Sequence, residues 1–527
     1  MLIWPMIELT IMSNIKIQTS SDIEFSRNFT IDDFNSMVKT FDLTGSLMSL
    51  QKLGALMGNQ VYVNANIEFE FYASPKIKLR GGMLTRDFIS FLAKQVLLNC
   101  DKNDVQYNDM DLFNLIYSYG NLEIDLHKIK NGGETKEKGW LWVIRSTNHQ
   151  WYYLRFHSSI IARYFWIFSK IFERNNSLGT KLDQALGLEI FKAMKIGTCI
   201  YANFCPRDDG KFATSFLMDS YTNTTIESLK PLLTERNILK FFEIFAITPN
   251  QFIEECKKYN LTEATLKKYE FNPLKRFPVI KTESEKKNEQ YIIPSLSDFL
   301  YGSFEGLYYV LLDKLDTNEK DNLFQEIGII FEMYIGEFIK QYNLDILSRA
   351  QIFSEKTYKV NSEEWKSADW ILKSDDFIFQ IECKKRKIDN YSKAGIQNSD
   401  GTGIDNLLGD IAKEVDKITK KEKHLKENKV DGINYEKQKV VNIIVFLDEM
   451  FAINKYARDK IKEKMKEKSD NFYIFGCWEF ELACQQSKNK QQNLYHSIID
   501  VVGGNTEIYH VDFLDRVYYN FFANLKA

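Results

Sequence analysis

Residues 366–387 read KSADWILKSDDFIFQIECKKRK. A two-residue turn at Asp375-Asp376 sets Trp370 against Ile381, Leu372 against Phe379 and Ala368 against Cys383, six residues on one apolar face. Asp369 then opposes Glu382, Ser367 opposes Lys384 and Ile371 opposes Gln380 on a second, mostly polar face. Successive strand side chains point to opposite faces, so a one-residue slip would set apolar residues against polar ones, and the pattern selects this register. Asp-Asp is not the favoured two-residue hairpin turn, which leaves a longer loop open as the alternative.

The register has a chemical consequence. Directly opposed residues hold their β-carbons roughly 4.5–5.5 Å apart. Two carboxylates that close repel unless a cation or a proton lies between them. Hard divalent ions such as Mg²⁺ favour carboxylate and water oxygens. Lys384 lies two residues beyond Glu382 and so on the same face, where an ammonium can steady an attacking water or offset charge on a phosphate. Asp369, Glu382 and Lys384 together suit metal-assisted attack of water on a phosphodiester. Glu-x-Lys alone says little, since it recurs at Glu134/Lys136 and Glu285/Lys287 in polar stretches. The plain alternative is a surface hairpin in which Asp369 or Glu382 simply pairs with Lys384.

Outward from this segment the pattern is regular. Phe324, Ile327, Phe331, Tyr334, Ile335 and Phe338 form a 3.6-period stripe that predicts a helix over 321–342. Leu407, Leu408, Ile411, Val415 and Ile418 predict a second over 405–424. VVNIIVFL (440–447) suits a buried strand, 471–478 a further strand, and 479–484 the opening of a helix. This order is α/β, a mixed sheet covered by helices.

At this point the chain resembles the PD-(D/E)xK nuclease superfamily over roughly residues 321–485. Asp369 matches the motif aspartate, with Ala368 standing before it where proline is common. Glu382-Cys383-Lys384 matches the (D/E)-x-K strand, and Gly328 through Phe331-Glu332 looks like the G-x-x-F-E helix ahead of the hairpin. The resemblance implies an α/β restriction-endonuclease-like C-terminal domain, a mixed central sheet flanked by helices, preceded by a helix-rich α+β N-terminal domain. It also implies Mg²⁺ or Mn²⁺ on Asp369 and Glu382, Lys384 at the water, and Glu332 completing the acidic site. By charge placement alone Glu332 lies on the flank of its stripe, where a glutamate is usually just solvated. Some branches carry a glutamine on the helix after the hairpin; GDIAKEVDKITKKEKHL here has none.

Lys385, Arg386 and Lys387 continue the strand and are the expected contacts to nucleic-acid phosphates. Residues 384–430 hold 12 basic and 8 acidic side chains, a local +4. Lys413, Lys417, Lys420, Lys421 and Lys423 lie on or near one side of the 405–424 helix, either tracking a phosphate backbone or forming a solvated face. Gly401-Thr402-Gly403 reads as a flexible loop rather than a phosphate cradle.

The N-terminal half is a different kind of chain. All eight prolines fall between Pro5 and Pro294. Residues 61–71 alternate strictly and predict a half-buried strand, and 140–146 with 150–156 predict a hairpin. Helices are expected at 85–98, 158–173, 181–195, 225–246 and 250–259, with Tyr164, Phe165, Phe168 and Phe172 as a core stripe. Pro273, Pro278 and Pro294 around the polar run 281–290 mark a boundary. The expected division is an N-terminal module 1–272, a connection 273–320 and a nuclease-like domain 321–527.

Composition limits the alternatives. The 527 residues carry 69 basic and 72 acidic side chains, a net −3, and 44% are hydrophobic. That excludes wholesale disorder and a protein coating nucleic acid by bulk charge, while allowing a local basic site. The seven cysteines include no C-x-x-C pair, which argues against zinc and for free thiols in a reducing cytoplasm. MLIWPMIELTIM lacks the pattern of a signal peptide, and the apolar run Ile160–Phe172 is broken by Arg163 and Lys170, so no membrane association is expected. There is no G-x-x-x-x-G-K, H-E-x-x-H or G-x-S-x-G. The expectation is a cytoplasmic Mg²⁺- or Mn²⁺-dependent endonuclease, chiefly on DNA, resembling by analogy bacterial restriction or anti-phage effectors. The N-terminal module is then a sensing, specificity or partner-binding element, homo-oligomer formation included. The alternatives are a catalytically silent nucleic-acid-binding or scaffold protein of the same fold, and an RNA nuclease.

Overall fold

The structure is a computed structural model and describes residues 35–36, 38–57, 62–64, 68–69, 77–78, 83–100, 153, 155, 157–204, 229–258, 270–283, 289–346, 350–385, 404–465, 471–503 and 511–526. Its contacts define two compact units. Among the described residues, 321–516 form one unit and the remainder form the other.

The second of these is helix-rich. It contains α1 (Leu43–Met57), β1 (Tyr62–Asn64), β2 (Glu68–Phe69), β3 (Ile77–Lys78), β4 (Met83–Thr85), α2 (Arg86–Asn99), α3 (His157–Arg174), α4 (Asn176–Leu186), α5 (Ile190–Phe204), α6 (Glu235–Phe245), β5 (Ala246–Ile247) and α7 (Pro249–Lys257). The 273–320 segment is no bare connection. It carries β6 (Val279–Glu283), β7 (Glu289–Ile292), α8 (Leu296–Ser303) and α9 (Glu305–Lys314), and it belongs to this unit. Leu47, Leu50 and Leu53 of α1 share a core with Phe88, Phe91 and Leu92 of α2, Phe252 of α7, and Ile280 and Ile292 of the β6–β7 pair.

The helix expected at 181–195 is two helices. Gly187 adopts φ +77°, ends α4 in the left-handed region that glycine favours, and donates to Asp183 O and Gln184 O. The helix expected from 225 begins at Glu235, where Thr234 accepts from the Asn237 amide as its N-cap. The aromatic stripe is core: Tyr164 and Phe168 are buried, and Phe165 and Phe172 pack on Phe191. Of the strand expected at 61–71, β1 and β2 are described and pair with β4 and β3. The 140–156 hairpin lies outside the described residues apart from Tyr153 and Arg155.

The other unit is built on one mixed sheet. Its elements are α10 (Thr317–Ile346) from Asp321 onward, β8 (Gln351–Ser354), β9 (Thr357–Val360), β10 (Glu363–Lys366), β11 (Trp370–Lys373), β12 (Phe377–Lys384), α11 (Ile404–Lys426), β13 (Lys439–Phe446), α12 (Ala452–Met465), β14 (Phe472–Gly476), α13 (Cys477–Lys490) and α14 (Leu494–Gly503). The sheet order is β14-β13-β12-β11-β8. Strands β12, β13 and β14 are parallel, and β11 is antiparallel to both of its neighbours. Parallel neighbours need long crossovers, supplied here by α11 and α12.

The hairpin register is the expected one: Trp370 pairs with Ile381, Ile371 with Gln380 and Leu372 with Phe379. The turn is the short one. Ser374 N donates to Phe377 O at 2.8 Å, and the Ser374 hydroxyl accepts from Phe377 N at 3.1 Å. That clamp explains why Asp375-Asp376 suffices as the turn.

Both faces of the sheet are covered. On one, Ile444 and Phe446 of β13 pack with Leu407, Ile411, Val415 and Ile418 of α11 and with Ile453 and Tyr456 of α12. On the other, the Trp370 indole lies over Gly336 of α10 so closely that a β-carbon at Gly336 would overlap it. A buried polar ladder keys α11 to the sheet. Gln380 Nε2 donates to Asn442 Oδ1 at 2.9 Å, and Asn442 Nδ2 donates to Glu422 Oε2. No described helix is long and apolar enough to cross a membrane.

Candidate functional site

The site forms where β11 begins and β12 ends. Asp369 immediately precedes β11, and its Oδ2 accepts a 2.6 Å hydrogen bond from the Cys383 amide. That bond holds Asp369 at the Glu382 end of β12. Trp370, the next residue, donates from Nε1 to Glu332 O at 2.9 Å and so ties β11 to α10. Glu332 thereby comes within electrostatic reach of Asp369, Glu382 and Lys384.

Asp369 and Glu382 therefore share one corner, and Glu332 acts on it electrostatically. Burial, then Glu382 and Glu332, push the Asp369 carboxyl up to about 7 against the opposing effects of the Cys383 amide and Lys384. Burial, then Glu355 and Glu382, raise Glu332 as well.

The residues of the G-x-x-F-E segment have separate duties. Gly328 leaves space that the Lys385 stem occupies, Phe331 is fully buried, and Glu332 faces the acidic corner.

Positive charge is interleaved with these carboxylates. Lys384 Nζ lies 3.0 Å from Glu382 Oε1 and 2.8 Å from Glu414 Oε2. Burial opposes the charge of Lys384, but Glu382 and Glu414 outweigh it and push the pKa up. Burial likewise opposes the charge of Glu414, yet Lys384 and Lys417 hold it below the usual range. Lys421 Nζ lies 2.8 Å from Glu382 Oε2 and donates to Ser367 O at 3.1 Å. The result is an alternating chain, Lys417–Glu414–Lys384–Glu382–Lys421, running from α11 onto β12 and back.

Asp369, Glu382, Lys384 and Glu332 are thus brought together. Lys385 lies beside them, with its ammonium 4.2 Å from the centre of the Phe324 ring, and burial lowers its pKa. Arg386 and Lys387 lie outside the described residues, as does Gly401–Gly403. The basic side of α11 is not a free cationic track. Lys413 pairs with Asp410, Lys417 with Glu414 and Lys420 with Asp416, all within the helix, and Lys421 turns inward to Glu382. Glu414 and Lys421 are the site members that the residue pattern did not single out as such. They stand seven residues apart, on the flank of the α11 stripe that packs on the sheet.

Asp369 and Glu382 offer hard oxygen donors whose mutual repulsion a divalent cation would relieve, so this pair fits Mg²⁺ or Mn²⁺. Among the described residues no group of three or more His, Cys, Asp or Glu is arranged to hold a metal ion by itself. A cation on Asp369 and Glu382 would therefore complete its shell with water. Compared with protein-family models, curated proteins and solved structures, the chain matches none.

Proposed function

We propose that the 321–516 unit is a Mg²⁺- or Mn²⁺-dependent endonuclease of the restriction-endonuclease-like fold, hydrolysing phosphodiester bonds chiefly in DNA. One observation carries the reading. Asp369 and Glu382 sit at one end of the hairpin beside Lys384, within electrostatic reach of Glu332, and burial together with the neighbouring carboxylates pushes Asp369 up to about 7. The strand and helix order around them supports the same reading.

Asp369 and Glu382 would hold the divalent ion. When bound, such an ion polarises a phosphoryl oxygen and lowers the pKa of water. Lys384, fixed between Glu382 and Glu414, keeps an ammonium where it would donate to the attacking water or to a non-bridging phosphate oxygen. Glu332, which holds its proton more tightly than an ordinary glutamate, would take up a proton from that water. Lys385, with Arg386 and Lys387 after it, would meet the flanking phosphates. The N-terminal unit would serve sensing, specificity or partner binding in a cytoplasmic restriction or anti-phage effector.

A second reading rests on a different observation. Both oxygens of Glu382 are already ion-paired, which suits a catalytically silent nucleic-acid-binding or scaffold protein of the same fold. Plasmid, linear DNA and RNA incubated with Mg²⁺, Mn²⁺ or EDTA, beside Lys384→Ala, separate the two. The nuclease reading expects cleavage of at least one substrate, loss in EDTA, and a rate at least about 100-fold lower in the variant. Binding without cleavage in any metal favours the silent protein. Cleavage that survives EDTA or Lys384→Ala undiminished overturns the nuclease assignment, and the RNA arm decides between DNA and RNA.

A further inference from the structure

Glu382 sits in an unusual balance for a metal-binding carboxylate. Each of its two oxygens already carries an ammonium, Lys384 on Oε1 at 3.0 Å and Lys421 on Oε2 at 2.8 Å. The two lysines have different supports. Lys384 belongs to β12 and is held from its other side by Glu414 at 2.8 Å. Lys421 reaches across from α11, and its described partners are Glu382 Oε2 and the main-chain oxygen of Ser367, two residues before Asp369. The pair is well shielded, with side-chain exposures of 13% for Lys421 and 9% for Glu382.

We propose that Lys421 is an internal cation that occupies the Glu382 carboxylate in the metal-free protein and competes with the divalent ion for it. The proposal rests on the reading of Asp369 and Glu382 as a divalent-cation site. An ion held by both carboxylates and the Lys421 ammonium claim the same corner. Like charges a few ångströms apart in a shielded pocket repel strongly. Lys421 can yield without disturbing the fold. Its four-carbon stem is flexible, and α11 is anchored independently by Ile411, Val415, Ile418 and Leu425 and by the Glu422–Asn442 bond. Lys384 cannot yield as readily, because Glu414 restrains it as well. The device keeps the metal-free acidic corner neutralised and sets a threshold of divalent-ion concentration below which the site stays closed to the ion.

The test is calorimetric titration of Mn²⁺ into the full-length protein and into Lys421→Gln, Lys421→Met, Lys421→Arg and Asp369→Ala. Lys421→Gln and Lys421→Met should bind Mn²⁺ at least about tenfold more tightly than the wild type, since each removes one like charge from the corner. Lys421→Arg keeps the charge and should stay within about threefold of the wild type on the same argument. Melting curves in EDTA and in Mn²⁺ supply a second readout: both neutral variants should gain more from Mn²⁺ than the wild type does. Mn²⁺ binding that is present in the wild type and lost in Asp369→Ala, but equal or weaker in the neutral Lys421 variants, overturns the role of Lys421 alone. Absence of Mn²⁺ binding in every protein overturns the metal site itself and this proposal with it.

Discussion

Asp369 accepts its 2.6 Å hydrogen bond from the amide of Cys383, the residue between Glu382 and Lys384. A carboxylate outside the strand is thereby pinned to the strand that carries the other two residues of the motif. The bond orients Asp369 and favours its charged form, while burial and the neighbouring carboxylates oppose that charge.

That conflict sets a pH dependence. Asp369 moves from an ordinary 3.8 to about 7 in the folded protein. The fold therefore binds this proton more tightly than the unfolded chain does, and the contribution to stability falls as pH rises from about 4 to about 7. Asp369→Asn removes this contribution. In EDTA its melting temperature should exceed that of the wild type, by a margin that grows from pH 5 to pH 8. A margin constant across that range would falsify the raised Asp369. Mn²⁺ binding at pH 6 should also release about one proton, and at pH 8.5 close to none, as calorimetry in buffers of different ionisation enthalpy would show.

Two glycines of α10 should respond differently to alanine. At Gly336 a β-carbon would overlap the Trp370 ring, which is itself bonded to Glu332 O. Gly336→Ala should cost about 1–3 kcal/mol by overpacking, despite the better helix propensity of alanine. At Gly328 the nearest atom is the Lys385 Cδ at 2.8 Å, on a stem that can swing away. Gly328→Ala should leave stability within about 1 kcal/mol of the wild type, or raise it through alanine's helix propensity. Urea denaturation of the two variants checks the contrast, and equal effects would contradict it.

Asn442 is a structural tie rather than a site residue. It is fully buried, accepts from Gln380 and donates to Glu422. Asn442→Leu would strand two buried polar partners, at a cost of roughly 2–4 kcal/mol. Because Glu422 shares its helix with Glu414 and Lys421, the same variant should weaken cleavage under conditions where it remains folded. A variant as stable as the wild type would show that the ladder is dispensable.

Glu414 touches Lys384 but neither of the two carboxylates proposed to hold metal. Glu414→Gln should therefore slow turnover on the order of 10-fold to 100-fold while leaving the Mn²⁺ dissociation constant nearly unchanged. Equal losses in both quantities would place Glu414 in the metal site instead.

The hairpin was legible because period-2 alternation on both of its strands admits one register, and the stripes of α10 and α11 were legible for the analogous 3.6-period reason. Glu332 was legible only through the resemblance. Its stripe shows a flank glutamate, and what brings it to the site is the Trp370 bond to its main chain, which no periodicity encodes. Glu414 and Lys421 were hidden for a related reason. They come from a helix well beyond the hairpin, and a lysine on a basic helix looks the same whether it meets solvent or a buried carboxylate. Strands β8 to β10 went unread because they are short. In β10 the charged residues Glu363, Glu364 and Lys366 mask the alternation, and the β9–β10 turn places Asn361 and Ser362 at φ +50° and +71°, where neither glycine nor proline signals it. The break at Gly187 carried its signal in plain view, a glycine inside an apparent helix.

The proposed seat of phosphodiester hydrolysis is Asp369 with Glu382. The most direct test is the rate of substrate cleavage in saturating Mn²⁺ by the wild type and by Asp369→Ala, each first shown to melt cooperatively. Cleavage by the variant should fall roughly a thousandfold, the size expected when several kcal/mol of transition-state stabilisation disappear. A folded Asp369→Ala that cleaves at the wild-type rate would contradict this assignment.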